Sequence, residues 1–269
     1  QTSLYADKIM RIALSVEYNG SNYFGWQKQK IHKEKTIQYH IDLAISKIAD
    51  EQISTICAGR TDTGVHAFSQ IIHFDTTKRR LDYKWINGIN SNLPNDVIIK
   101  KIYHVDEDFH ARYSAQSRTY RYIILNQKYP STFLSSNVLH ISDDINISKI
   151  KLAFKYLKGD KDFSCFRASG CSSKSPIKNI KKISISSYKN FLYIDITANS
   201  FLYHMVRNII GTLLDIGISK YEPSHIDYLI KSLDRKKCSK MVLSNGLYLK
   251  NILYPKKYNI NSDDIFPYF

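Results

Sequence analysis

The chain has 269 residues, 43% of them hydrophobic and 23% charged, with 39 basic against 24 acidic side chains and a net charge of +15. That length supports one sizeable core or two modest ones, and the absence of any apolar run near the roughly 20 residues of a membrane span argues against a membrane protein. The charge favours a polyanionic partner, nucleic acid or an anionic surface, although lysines that merely solvate the surface account for it equally well on composition alone.

Gln1 to Lys8 lacks the basic-then-apolar order of a secretion signal, and residues 1–9, ahead of Met10, read as an extension. Residues 11–18 alternate like a strand and run into the turn residues Asn19-Gly20-Ser21-Asn22. Thr36 stands where it can cap a helix whose apolar residues Ile37, Ile41, Ala44, Ile45 and Ile48 recur at helical spacing. Strands are expected at 53–57 and 69–74, a helix at 81–89 and a strand at 97–103. The order β-α-β-β-α-β is that of a split ferredoxin-like unit.

The second half roughly repeats it, with a strand at 119–125, a helix at 147–157, a hairpin of 180–186 with 191–198, helices at 201–216 and 225–232, and a last strand at 246–253. The expected fold is α+β, two ferredoxin-like or RRM-like halves with mostly antiparallel sheets flanking a central cleft. The boundary falls near 106–117, where Asp106-Glu107-Asp108 breaks the apolar pattern, giving halves 10–112 and 113–269. A cleft between two such halves is a natural ligand site.

Gly59-Arg60-Thr61-Asp62-Thr63-Gly64 interrupts two strand patterns, and its glycines permit close approach of a ligand. Thr61 and Thr63 are expected to hydrogen-bond locally and hold the turn open. Arg60 and Asp62 form either a structural ion pair or a functional pair. A nearby cation would keep Asp62 ionised, which suits a nucleophile rather than a general acid.

On the helix 201–216, Phe201, Met205, Ile209 and Leu213 form a core stripe, while His204, Arg207 and Gly211 share another face. Gly211 removes bulk, so a close neighbour is expected there. Arg207 snorkels to water, pairs with a buried carboxylate or contacts phosphate.

In the strand that follows residue 117, Arg118, Tyr120 and Tyr122 point one way and Thr119, Arg121 and Ile123 the other. Aromatics beside arginines suit base stacking with phosphate contact, although tyrosine is also an ordinary strand residue. Arg112, Lys128, Arg167, Lys174, Lys178, Lys181 and Lys182 could track a phosphate backbone, whereas Lys78-Arg79-Arg80 and Arg235-Lys236-Lys237 read as solvated runs. His66 and His73 have no partner at ligand spacing and read as structural.

Cys57, Cys165, Cys171 and Cys238 contain no Cys-x-x-Cys pair and read as thiols in a reducing cytosol. There is no P-loop, nucleophile elbow or dinucleotide fingerprint. An acid-dependent site with no cofactor and no metal remains.

Six ordered segments between Met10 and Tyr254 resemble the bacterial tRNA pseudouridine synthase A family. They are Glu17-Tyr18-Asn19-Gly20 with Gly25-Trp26-Gln27; Gly59 to His66; Phe109-His110-Ala111-Arg112 with Arg118-Thr119-Tyr120-Arg121-Tyr122; Asp162-Phe163-Ser164 with Phe166-Arg167; Ala198 to Asn208; and Gly246-Leu247-Tyr248-Leu249. The resemblance implies isomerisation of uridine to pseudouridine at positions 38, 39 and 40 of the tRNA anticodon stem-loop.

It places Asp62 on the catalytic aspartate, Tyr120 on the tyrosine against the target base, Arg207 on the arginine paired with that aspartate, and Arg60 on a loop arginine that helps extrude the base. Arg112, Arg118, Arg167 and Lys174 are expected, from their charge and placement, to contact the RNA. It further implies a cytoplasmic, metal-free homodimer whose tRNA bridges both subunits.

Two departures stand out. Thr63 occupies a place where small residues are common, and residues 238–245 replace a loop that usually contains Pro and Ala. The competing expectations are a tRNA-binding chaperone without catalysis and a metal-dependent nuclease using Asp62 with Asp75 or Asp195.

Overall fold

The computed structural model describes residues 9–261; the first eight residues, read from sequence as part of an extension, and residues 262–269 lie outside the described residues. The fold is mixed α+β, and the chain divides into two compact units. Among the described residues, one comprises 9–116 together with 249–261, the other Ser117–Tyr248.

In the first unit the order is β1 (Met10–Tyr18), α1 (Ile37–Ala49), β2 (Ile56–Cys57), β3 (His66–Thr76), α2 (Asp82–Asn90) and β4 (Val97–Val105). The strands lie in the order β4-β1-β3-β2, each pair antiparallel. Arg11 sits opposite Asp75, and its guanidinium grips that carboxylate through Nε at 2.7 Å and Nη2 at 2.8 Å. Ile12 to Leu14 and Val16 are fully buried, and α1 buries Ile37, Ile41, Ala44 and Ile45.

Thr36 does stand at the N-terminus of α1, but its hydroxyl donates to the Lys33 carbonyl instead of capping. The first helical N–H groups, which have no partner within the helix, are satisfied by main chain: Ile37 by the Gly25 carbonyl and Gln38 by that of Trp26. The strand expected over 53–57 is regular only at Ile56–Cys57.

The second unit contains β5 (Ser117–Asn126), β6 (Leu139–Ile141), α3 (Ile147–Leu157), β7 (Gly159–Asp162), β8 (Ile177–Tyr188), β9 (Phe191–Ala198), α4 (Met205–Gly217) and α5 (His225–Ser232). Its strands run β5-β9-β8-β7, antiparallel, with β6 parallel beside β5. The expected hairpin is present: Tyr188 pairs with Phe191, and Lys189 takes a left-handed conformation (φ 50°) in the two-residue turn.

Helix α4 starts at Met205 rather than at Phe201, because His204 has φ +60° and Met205 N–H bonds back to the Leu202 carbonyl in a tighter turn. The short strands β6 and β7 carry too few alternating residues to signal themselves. The last strand, β10 (Leu247–Leu253), begins in this unit, and its residues from Leu249 belong with the first.

Strand β5 places Arg121 opposite Asp195, joined by two parallel bonds of 2.7 Å, with the guanidinium 5.2 Å from the Tyr193 ring centroid. At 3% and 18% side-chain exposure the pair is largely dry. Truncating one partner of such a pair strands the other charge. Asp195→Ala is therefore expected to lower stability by about 3–5 kcal/mol. Urea unfolding measures it, and a loss below about 1 kcal/mol, the worth of an exposed pair, would contradict the assignment.

Candidate active site

The connection from β2 to β3 carries Gly59 to Val65, and it is pinned from several directions. Trp26 N–H donates to the Thr61 carbonyl (3.0 Å), Gly64 N–H to the Tyr23 carbonyl (3.2 Å), and Val65 N–H closes the turn on the Asp62 carbonyl (3.1 Å). Gly20 N–H donates to His66 Nδ1 at 3.0 Å.

Two glycines make this approach possible. A Cβ on Gly20 would overlap the Val65 carbonyl, and one on Gly25, at φ +89°, would stand 2.7 Å from the Thr61 carbonyl oxygen. Asp62 is half-buried and Arg60 exposed. Thr61 does not hydrogen-bond locally as expected; its hydroxyl lies 2.7 Å from Tyr18 Oη, and both residues are buried. Gly20, Gly25 and Tyr18 hold this loop, a role that sequence reasoning did not assign to them; the signal was their place in the first matching segment.

In the second unit, Tyr120 on β5 is half-buried and meets Phe201 edge to face at 5.2 Å. Arg118 donates to the Asn199 carbonyl (3.0 Å). Arg207, in the first turn of α4, donates through Nε to the Val242 carbonyl (2.9 Å), and a Cβ on Gly211 would overlap the Lys240 carbonyl. The close neighbour expected at Gly211 is thus the atypical loop 238–245.

That loop has further anchors. Tyr122 Oη donates to the Leu243 carbonyl (2.7 Å), and Asn245 Nδ2 to those of Ser135 (2.9 Å) and Val138 (2.6 Å). Arg235 bonds the Ser239 carbonyl (3.3 Å) and Asn208 Oδ1 (2.8 Å), so it is an internal brace rather than part of a solvated run.

Of the other candidate basic residues, Arg112 and Lys174 are exposed, and Arg167 ties its loop by donating to the Cys171 and Ser173 carbonyls, each at 2.9 Å. Lys178 does not belong to an exposed track: it is 7% exposed, and its ammonium bonds Ser173 Oγ (3.1 Å) and the Ser175 carbonyl (2.9 Å).

Asp75 and Asp195, the partners a nuclease would require, are each held by an arginine. Among the described residues no group of three or more His, Cys, Asp or Glu is placed to hold a metal ion, and no helix is long and apolar enough to cross a membrane. The four cysteines are free thiols, Cys57 and Cys165 buried and the others half-buried. His73 is structural, its Nδ1 accepting the Ala111 N–H at 3.1 Å.

A family profile described as tRNA pseudouridine synthase matches residues 14–114 and 153–255. The chain is 41% identical over 97% of its length to tRNA pseudouridine synthase A of Shewanella sp. (strain MR-4), covering 99% of that protein. It is 46% identical over 94% of its length to the protein of the same name from Buchnera aphidicola subsp. Schizaphis graminum, covering 95% of it.

Burial, aided by the charges of Arg11 and His110, lowers the His73 pKa from 6.5 to about 4; burial with Arg207 and Arg235 lowers that of His204 likewise to about 4. Unfolded, both histidines take up a proton near pH 6.5, so between pH 6.5 and about 4 the unfolded chain binds more protons and stability falls as pH drops. His73→Gln, which keeps an acceptor for Ala111, is expected to shrink the fall in urea midpoint between pH 7 and 4.5. An unchanged fall would contradict the role of His73.

Proposed function

Given that the chain belongs to the tRNA pseudouridine synthase family, we propose that it modifies positions 38, 39 and 40 of the tRNA anticodon stem-loop, with Asp62 as the reacting carboxylate. The protein is an isomerase that converts uridine to pseudouridine in tRNA. The C1′–N1 bond breaks, the uracil turns, C5 bonds to C1′, the C5 proton is lost to solvent and N1 takes up a proton, so the product has the same atoms as the substrate.

The observation that carries the role of Asp62 is its loop. The carboxylate sits between two residues whose main chain is fixed, Thr61 and Gly64, on a turn between a short strand and a long one. Holding a reacting group in one geometry removes entropy from the barrier.

In this reading Tyr120 packs against the target base, and Arg207 keeps the aspartate ionised, its orientation set by the Nε bond to Val242. Arg60, exposed beside Asp62, helps to draw the base from its stack, a step that costs a few kcal/mol. Arg112, Arg118, Arg167 and Lys174 supply RNA contacts. Each half is a ferredoxin-like unit, a reading supported in the first by the strand order β4-β1-β3-β2. The working enzyme is a cytoplasmic homodimer that needs no metal.

With tRNA tritiated at C5 of uridine, wild type is expected to release tritium to water and Asp62→Asn to release none above background. Equal release by both would remove Asp62 from the chemistry, and no release by either would favour a non-catalytic tRNA-binding protein. Arg207→Ala is expected to lower kcat roughly 10²-fold, the scale for one electrostatic partner at a reacting centre, while tRNA affinity changes far less. Equal losses in both would make Arg207 an RNA contact.

A further inference from the structure

We propose that Tyr18 is a positioning residue for the reaction, holding Thr61 and thereby the main chain that presents Asp62; this rests on the assignment of Asp62 as the reacting carboxylate. Tyr18 ends β1, is 3% exposed, and lies against Trp26 with ring centroids 5.8 Å apart. Its phenol reaches Thr61 Oγ1 at 2.7 Å, linking residues 43 apart in sequence. Thr61 is thus held twice, by its side chain to Tyr18 and by its carbonyl to Trp26 N–H at 3.0 Å. The next residue is Asp62, and two residues later Gly64 N–H is fixed to Tyr23.

A buried hydroxyl pair adds little net stability, because two apolar groups of the same shape fill the space nearly as well. What it adds is direction. A phenol bond to a threonine selects one rotamer and one height for the main chain beside it, whereas Phe against Val would pack in several. The pair therefore sets where the carboxylate of Asp62 starts, and its loss appears in turnover more than in folding or binding.

The test uses the full chain, C5-tritiated tRNA, tRNA binding and thermal unfolding. Tyr18→Phe and Thr61→Val are each expected to lower kcat roughly 10-fold or more, since small misplacements of a reacting group cost up to about 10²-fold, with KM little changed. Thr61→Ser, which keeps the hydroxyl, recovers most of the rate. The double variant Tyr18→Phe with Thr61→Val is no slower than either single one, because both remove the same bond, and melts close to wild type.

Full kcat in Tyr18→Phe, or a loss shared equally by kcat, KM and melting temperature, overturns the positioning role. Asp62→Asn, measured alongside, separates the two levels. Release by that variant overturns the carboxylate assignment and this proposal with it, whereas a silent Asp62→Asn beside a fully active Tyr18→Phe overturns only the proposal.

Discussion

The first unit depends on two places where main chain meets main chain with no side chain between. Gly20 lies under the Val65 carbonyl and Gly25 under that of Thr61, so the loop carrying Asp62 rests directly on the segment that leaves β1. Any Cβ there would lift the loop, and overpacking of this kind costs about 1–3 kcal/mol. The same segment also starts α1, through the carbonyls of Gly25 and Trp26. One stretch of some eight residues therefore sets the loop and the helix together. Each hydrogen bond is worth only about 1 kcal/mol net, so the loop is fixed by the number of its constraints rather than by a strong one.

The second unit meets a similar demand with arginines. Arg121 braces β5 against β9 through Asp195, Arg235 joins α4 to Ser239, and Arg207 holds Val242. Guanidinium suits this work because its planar fork keeps direction while satisfying several acceptors. Loop 238–245 is held firmly in the neighbourhood of Arg207, since carbonyls of Ser239, Val242 and Leu243 all have side-chain donors.

The net charge of +15 includes both braced and exposed side chains. Arg11, Arg121, Lys178 and Arg235 are bonded to groups of the fold, and Arg60, Arg112 and Lys174 are exposed at the surface. Sequence could not make this division. Lys178 and Lys174 lie in one basic stretch, and only folding brings Ser173 Oγ and the Ser175 carbonyl onto the first. Arg235 likewise reads as part of a solvated run until Asn208, 27 residues away, arrives beside it.

Local pattern made most elements readable. Period-two and helical spacings marked β1, α1, α3 and the β8–β9 hairpin, because each pattern is set by neighbours within four residues. Where a partner comes from further away, the pattern failed. Thr36 looks like a cap yet bonds backward, Thr61 finds Tyr18 instead of its own turn, and α4 loses its first four expected residues to the conformation of His204. The return of Leu249 onward to the first unit leaves no mark in the residues themselves.

By itself the sequence determined the family, and with it the reaction, because six ordered segments between Met10 and Tyr254 resemble that family. Tertiary structure decided which polar groups brace the fold and which remain outside it. The reason is physical: a hydrogen bond depends on an acceptor within about 3 Å, and chain neighbours do not say who that will be.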